Sequence, residues 1–320
     1  MEKISFVIPC YRSEHTISAV VDEIVDTVTA HGGYNYEIIL VNDNSPDRVR
    51  DVITVLSQFN PRVKGLDLSR NFGQHSAIMA GFTYLTGDIV VCLDDDGQTP
   101  ANEMFRLIDK LGDMDLVFAS YKTKQHSGFR NFGSKVNDKM AQWLIGKPKN
   151  LKIMSYFACK RYVTDEVLRY PNPFPYISGL LIRVTNKVKN AEVHHRERLE
   201  GKSGYTIGKL LLLWINGFTA FSVKPLRIST FVGVITAVIG FIYGIYVIIN
   251  KFFIHPNAPL GYSSTMAAML FIGGMIMLLL GMIGEYVGRI YISINRSPQY
   301  VIRRTVGVED RKNGLQKEKV

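Results

Sequence analysis

Asp94, Asp95 and Asp96 stand in a row at the end of the apolar run DIVVCL and directly before Gly97 and Gln98. Three adjacent carboxylates repel one another, so a folded chain keeps them only beside a cation or in contact with water. In an extended segment alternate side chains share a face, which pairs Asp94 with Asp96 and turns Asp95 away. Two hard oxygen donors, completed by the oxygens of a diphosphate, suit Mg2+ or Mn2+. A solvated acidic turn would read the same elsewhere in a chain; the position after a buried strand favours a site.

The segments that must position these carboxylates alternate between two periods. ISFVIPCY, EIILVND, VKGLDLS and DIVVCLDDD are short continuous apolar runs, the pattern of strands buried on both faces. Between them lie SEHTISAVVDEIVDTVTAHG, RVRDVITVLSQF and HSAIMAGFTYLTG. In the first, Ile17, Val20, Val21, Ile24, Val25 and Val28 recur at helical spacing, with Ser13 as an expected N-cap and Gly32 as an expected stop. The third is expected to run to Gly87. Strand–helix alternation predicts an α/β fold built on a mostly parallel sheet, whose ligands bind beyond the carboxyl ends of the strands. Polar residues stand at three such ends: Tyr11 and Glu14, Asn42 and Asp43, and the aspartate triplet.

The chain has 320 residues, 47% hydrophobic and 21% charged, which excludes a disordered or collagen-like protein. Cys10, Cys92 and Cys159 are too few and too scattered for a disulfide framework, and no CxxC supports structural zinc. Neither GxGxxG nor GxxxxGK[ST] occurs, so a dinucleotide fingerprint and a P-loop are both absent. The net charge of +10 is unevenly placed: residues 1–120 carry −9, residues 121–224 carry +13 and residues 225–320 carry +6. An acidic front suits a metal-dependent site, and a basic middle beside apolar segments suits an anionic membrane surface or a lipid phosphate. Without a zinc finger or an RNP-like motif, nucleic acid is not the expected partner.

Ile228 to Asn250 is a run of 23 uncharged residues, about 34 Å as a helix and enough to cross a bilayer. Ser263 to Gly284 is a second uncharged run. Lys224 and Arg227 precede the pair and Arg289, Arg296, Arg303 and Arg304 follow it, which by the positive-inside bias predicts cytoplasmic flanks. The opening MEKISFVIPCYR is too briefly apolar for a signal peptide and reads as a strand, so the amino terminus is expected in the cytosol. Residues 206–227, apolar but broken by Lys209, Asn216, Gly217 and Pro225, read as interfacial amphipathic helices. The expected layout is a catalytic domain over 1–205, interfacial helices over 206–227, and a transmembrane hairpin over 228–290. Its spans are about 228–250 and 263–287, and 291–320 is a cytoplasmic tail, polar beyond Val306. Gly240/Gly244 and Gly284/Gly288 allow close helix packing, within the hairpin or in a homo-oligomer.

IPCYRSEHTI, VNDNSPD, LSRNFGQHSAIMAGF, LDDDGQTP and HHRERLEGKSGYT follow one another in this order ahead of the two apolar runs. The succession resembles the membrane-anchored family 2 glycosyltransferases, and among them the polyprenyl-phosphate glycosyltransferases such as dolichyl-phosphate mannose synthase and bacterial undecaprenyl-phosphate glucosyltransferases. The likeness spans residues 3 to 305. It implies a GT-A fold and inverting transfer from a nucleotide-diphosphate sugar, UDP-linked by preference, to undecaprenyl phosphate. Such transfer takes place at the cytoplasmic face of the inner membrane and serves cell-envelope glycan modification.

Carried over by position, Pro9, Tyr11, Glu14 and Asp43 match residues that hold the base and ribose, and Arg70, Asn71 and Gly73 match the RNxG segment beside the nucleotide, which Asp94 and Asp95 also adjoin. Asp94 and Asp96 match the metal-binding DxD, followed by Gln98 as a further ligand. Catalysis is implied for Asp94, Asp96, Arg130, Ser134 and Arg198, and contact with the acceptor phosphate for Lys122, Arg130, Ser134, Arg198, Ser203 and Tyr205.

Three departures stand out. The family's DDGS is Asn42-Asp43-Asn44-Ser45 here, a frequent arginine is Lys122, and an Asp-Phe-Arg segment is Met154-Ser155-Tyr156. An acceptor phosphate is already anionic at neutral pH, so a strong general base is not required. The alternatives are a processive polysaccharide synthase, which would carry the QxxRW motif absent here, and a non-catalytic nucleotide-sugar-binding membrane protein, which has no use for clustered carboxylates.

Overall fold

The computed structural model describes residues 1–121, 142, 147–194, 224–249, 261–295 and 297–308. It divides into two compact units: Met1–Tyr205 with Arg296–Val320, and Thr206–Asn295.

The first unit is built on one eight-stranded sheet. Its strands are β1 (Lys3–Cys10), β2 (Asn35–Asn42), β3 (Val63–Leu68), β4 (Ile89–Cys92), β5 (Leu116–Tyr121), β6 (Phe157–Lys160), β7 (Val188–Val193) and β8 (Ile302–Val306). They lie in the order β7-β5-β6-β4-β1-β2-β3-β8. The pairs β1–β2, β1–β4, β2–β3 and β5–β7 are parallel, while β6 runs antiparallel between β4 and β5, and β8 runs antiparallel along β3. β1 to β5 therefore end at the same edge of the sheet, which is where ligands gather in parallel α/β folds.

Among the described residues, the helices that cover this sheet include α1 (Ile17–His31), α2 (Val49–Phe59), α3 (Gln74–Phe82), α4 (Phe105–Ile108), α5 (Arg161–Leu168) and α6 (Ile177–Val184). Alternation along β1 decides what each face meets. Ile4, Phe6 and Ile8 join Ile17, Val20, Val21, Ile24 and Val28 of α1 in one buried cluster. Val7 points to the opposite face, where α3 packs so closely that a Cβ on Gly81 would lie 2.5 Å from Val7 Cγ1. Covering both faces removes water from every β1 side chain between Ile4 and Cys10; truncating one of the larger ones, Phe6→Ala, would cost about 3–5 kcal/mol. Pro9 sits beyond Val7–Cys92, the last β1–β4 pair, where a missing amide hydrogen costs least.

At the opposite edge Glu37 ties the strand starts together. Its buried carboxylate accepts Lys3 Nζ at 3.1 Å, Lys64 Nζ at 2.7 Å, Ser5 Oγ at 2.6 Å and the Thr86 amide at 2.6 Å. Burial pushes this carboxyl up, but the bonds from Lys64, Ser5 and Thr86 prevail and bring it to about 2.

Three local expectations are corrected. α1 begins at Ile17 after Thr16 rather than after Ser13, whose carbonyl accepts the Thr16 and Ile17 amides in a preceding turn. Gly32 does end that helix, at φ 68°. α3 stops at Phe82, short of Gly87, where a Cβ would strike Lys3 O and Ser5 Oγ at 2.6 Å. The third concerns the segment after the apolar runs. It is not merely a tail, because residues 302–306 form β8 at the β3 edge.

In the second unit, α7 (Lys224–Ile249) and α8 (Tyr262–Ile294) are apolar helices. Within α8, Phe271–Ile294 is long and apolar enough to cross a membrane, while the apolar stretch of α7, Gly233–Tyr243, is shorter. Phe271, Ile276, Leu280, Val287 and Ile294 of α8 are all exposed, as expected of a surface that lipid covers.

Candidate active site

The ends of β1 to β5 lie at the carboxyl edge. Past β2, Asp43 is only 3% exposed. Its Oδ1 accepts the Phe72 amide at 2.7 Å and its Oδ2 the Gly73 amide at 2.8 Å. Burial raises the Asp43 carboxyl, and the two amides offset part of that rise. Gly73 takes φ 88°, a backbone that side chains rarely adopt, and thereby aims its amide at Asp43 while starting α3. The resemblance sets Asp43 at the base and ribose and Gly73 in the segment beside the nucleotide; in the structure the two are hydrogen-bonded to each other. Arg70 and Asn71 lie exposed just before, with the Arg70 guanidinium over the Phe72 ring at 4.6 Å.

The turn after β2 explains one departure from the family pattern. Asn42 donates through Nδ2 to Asp67 Oδ1 at 2.7 Å and accepts the Ser45 amide at 3.0 Å. An aspartate in its place would set two carboxylates against each other there. Asn44 takes φ 48°, the left-handed region that asparagine tolerates best after glycine. Arg12, at φ 58°, donates its amide to Ser45 Oγ at 2.8 Å, so the turns after β1 and β2 hold each other. Glu14 joins the same contact, accepting the Arg48 amide at 2.8 Å and donating its own to Asp47 at 3.0 Å. Tyr11 projects from this rim with 44% of its surface exposed.

The aspartate triplet divides as alternation requires. Asp95 turns to β1 and accepts the Tyr11 amide at 2.9 Å. Burial pushes the Asp95 carboxyl up to about 6, and the Asp94 charge adds to the rise. Asp94 faces elsewhere: Gln74 Nε2 donates to Oδ1 at 2.8 Å, and Ser155 Oγ donates to Oδ2. Asp96 accepts the Gln98 amide at 3.0 Å.

Tyr121, the last residue of β5, lies against this pair. Burial, then the charges of Asp94 and Asp96, push its hydroxyl up to about 12. Gln74, Tyr121 and Ser155 thus border the site without having been singled out from sequence. Tyr121 closes an apolar strand as Asp94 does, so the same strand-end reasoning would have found it; no periodicity marks Gln74 or Ser155.

Among the described residues no group of three His, Cys, Asp or Glu could hold a metal ion. The donors that fit one are the Asp94 and Asp96 carboxylates with Gln98 beside them. Two hard oxygens leave most positions to water and phosphate, the usual arrangement for Mg2+ or Mn2+ on a diphosphate. Lys122, Arg130, Ser134, Arg198, Ser203 and Tyr205 lie outside the described residues, as do 206–223 of the interfacial segment.

Residues 5–169 match glycosyl transferase family 2, and residues 224–290 match the GtrB C-terminal hairpin. The chain is 33% identical over 310 residues to a prophage bactoprenol glucosyl transferase homolog of Escherichia coli (strain K12), covering 94% of this chain and 99% of the relative. It is 31% identical over 322 residues to an undecaprenyl-phosphate 4-deoxy-4-formamido-L-arabinose transferase of Yersinia pestis (strain Pestoides F), covering 100% and 98%. Among solved structures, glucosyl-3-phosphoglycerate synthase from Mycobacterium tuberculosis, in complex with Mn2+ and UDP-glucose, shares the fold at a TM-score of 0.50 and 20% identity, covering 68% of this chain and 77% of that one.

Proposed function

Because the chain belongs to glycosyl transferase family 2, in its polyprenyl-phosphate branch and with the GT-A fold, we propose that it transfers a sugar from a nucleotide-diphosphate sugar to undecaprenyl phosphate at the cytoplasmic face of the membrane. One observation carries this reading: the amide-clamped Asp43 and the Asp94/Asp96 pair converge at one edge of the sheet. One acidic group suits a base and ribose, and the other suits a diphosphate with its metal. UDP is the preferred nucleotide, since Tyr11 and Asp43 together suit a pyrimidine.

Each described residue then has a role. Tyr11 offers its exposed ring to the base, Asp43 faces the base and ribose, and the 70–73 segment lines the nucleotide. Asp94, Asp96 and Gln98 would hold Mg2+ or Mn2+, which when bound neutralises charge on the departing diphosphate. Gln74 and Ser155 fix the Asp94 carboxylate by occupying one oxygen each. Tyr121, held protonated far above neutral pH, is a donor and not a base. That accords with an acceptor that arrives already ionised. Lys122, Arg130, Ser134, Arg198, Ser203 and Tyr205 bind the acceptor phosphate in line with the anomeric carbon, and attack from the opposite face inverts its configuration.

The second unit anchors the enzyme. A lipid phosphate stays at headgroup depth, so a tethered site meets it at high effective concentration. The β3–β8 pairing supports the reading of two crossings with both flanks on one side of the bilayer, since the chain before and after the hairpin contributes to one sheet.

The test is a transfer assay on detergent-purified full chain with Mn2+ or Mg2+, undecaprenyl phosphate and a panel of labelled UDP- and GDP-sugars, with Asp96→Ala alongside. Label entering the organic phase from one donor, and lost in the variant, is the expected result. Label that stays aqueous with every donor, despite measurable nucleotide binding, would favour a binding protein instead.

A further inference from the structure

β8 does not pair evenly with β3. Gly65 faces Val306, Leu66 faces Thr305 and Asp67 faces Arg304, but Leu68 faces Ile302, which leaves Arg303 as the extra residue of a bulge. Bulges re-aim side chains, and this one sends the Arg303 guanidinium to Asp67: Nε and Nη2 both donate to Oδ2, at 3.0 and 2.7 Å. The other oxygen, Oδ1, accepts Asn42 Nδ2. Asp67 is 6% exposed, and its two oxygens are divided between a cation from the end of the chain and an amide from the turn that carries Asp43.

We propose that Arg303 is a positioning residue for the nucleotide end of the site. It holds the Asp67 carboxylate aimed at Asn42, and Asn42 in turn fixes the Ser45 amide and so the course of Asn42–Ser45. That turn needs fixing: Asn44 and, across from it, Arg12 both hold left-handed backbones, and the Arg12 amide rests on Ser45 Oγ. Without the guanidinium, a buried carboxylate has lost its counter-charge and must turn to water or shift against its neighbours. Either change loosens Asn42. Sequence alone places Arg303 among the cations that flank a membrane span; the bulge gives it a different task. The assignment rests on the nucleotide-sugar reading of the site.

The experiment compares wild type, R303M, R303K and R303M/D67N as full chains in detergent, by calorimetric binding of UDP and GDP and by KM for donor and acceptor. R303M is expected to weaken the bound nucleotide and raise donor KM about tenfold, with kcat and acceptor KM within about twofold of wild type. R303K keeps the charge and recovers most of the loss. R303M/D67N removes the stranded charge while leaving an oxygen for Asn42, and recovers it as well; mere loss of a strand would not be repaired that way. Nucleotide affinity in R303M equal to wild type overturns the proposal, as does an R303M/D67N as impaired as R303M. If R303M does not fold, a folded double variant with wild-type donor KM supports the proposal and an unfolded one overturns it. A wild type that binds neither nucleotide overturns the reading of the site, and this inference with it.

Discussion

The Asp95 carboxylate accepts the Tyr11 amide at 2.9 Å across 84 positions of sequence. The middle member of the aspartate triplet therefore joins the end of β1 to the end of β4, while Asp94 accepts from Gln74 and Ser155 and Asp96 from the Gln98 amide. Adjacent acidic residues that look interchangeable in a sequence have separate tasks once the backbone alternates.

Chelation should distinguish those tasks. Stripping divalent cations with EDTA is expected to lower transfer by about a hundredfold or more, with recovery on adding Mn2+ or Mg2+. Asp94→Asn should behave like the stripped enzyme even at saturating metal. Activity that survives exhaustive chelation would remove the metal from the scheme.

Asp43→Asn tests the clamp. An asparagine offers one oxygen, so its amide group must confront either the Phe72 or the Gly73 N–H, donor against donor. The variant should lose about 1–3 kcal/mol of stability and raise donor KM with little change in acceptor KM. Thermal melting and initial rates at varied donor would read both, and an unaltered donor KM would show that the site does not use Asp43.

Asn42→Asp restores the family's usual carboxylate and should harm this chain. The introduced carboxylate would face Asp67 at hydrogen-bond distance while a single Arg303 balances the two. A loss of about 1–3 kcal/mol is expected at pH 7. Because the crowded pair takes up a proton more readily folded than unfolded, the deficit should shrink as pH falls. Melting curves at pH 5 and pH 7 separate this from a simple packing defect, which would not vary with pH.

Glu37 governs acid stability. Its folded carboxyl lies near 2 against an ordinary 4.5, so its contribution is present above about 4.5 and is lost as pH falls toward 2. Glu37→Gln should cost about 2–3 kcal/mol at neutral pH and flatten the acid limb of the stability curve over that interval. Parallel acid limbs in the two proteins would contradict the assignment.

Much of the front half was legible because burial on both faces leaves a strong imprint. Continuous β-branched runs such as EIILVN and IVVC, set between segments of helical period, read as covered strands, and polar residues stand at their ends. β6 and β8 left no such imprint. FACK holds no Val, Ile or Leu, and IRRTV carries two arginines on an edge strand. Ser155 was noticed only as a departure from a pattern, whereas in space its hydroxyl touches Asp94. Helix ends depended on contacts that spacing does not record, as at Gly87, which is wedged against Lys3 and Ser5 rather than closing α3.

Arg303 and Asp67 are 236 positions apart, and this separation sets an order of events during biogenesis. At about 5–20 residues per second, a ribosome needs roughly 12–50 s to go from one to the other. Through that interval β3 is a raw sheet edge, the kind that invites pairing with other chains. The missing strand emerges only after the hairpin, so the edge passes last from β3 to the arginine-bearing β8, once the apolar helices have been synthesised. A fragment cut after Tyr205 would lack β8 and keep β3 as its edge. It would keep the other seven strands among the described residues, and self-association along β3 is what such a fragment should show in solution.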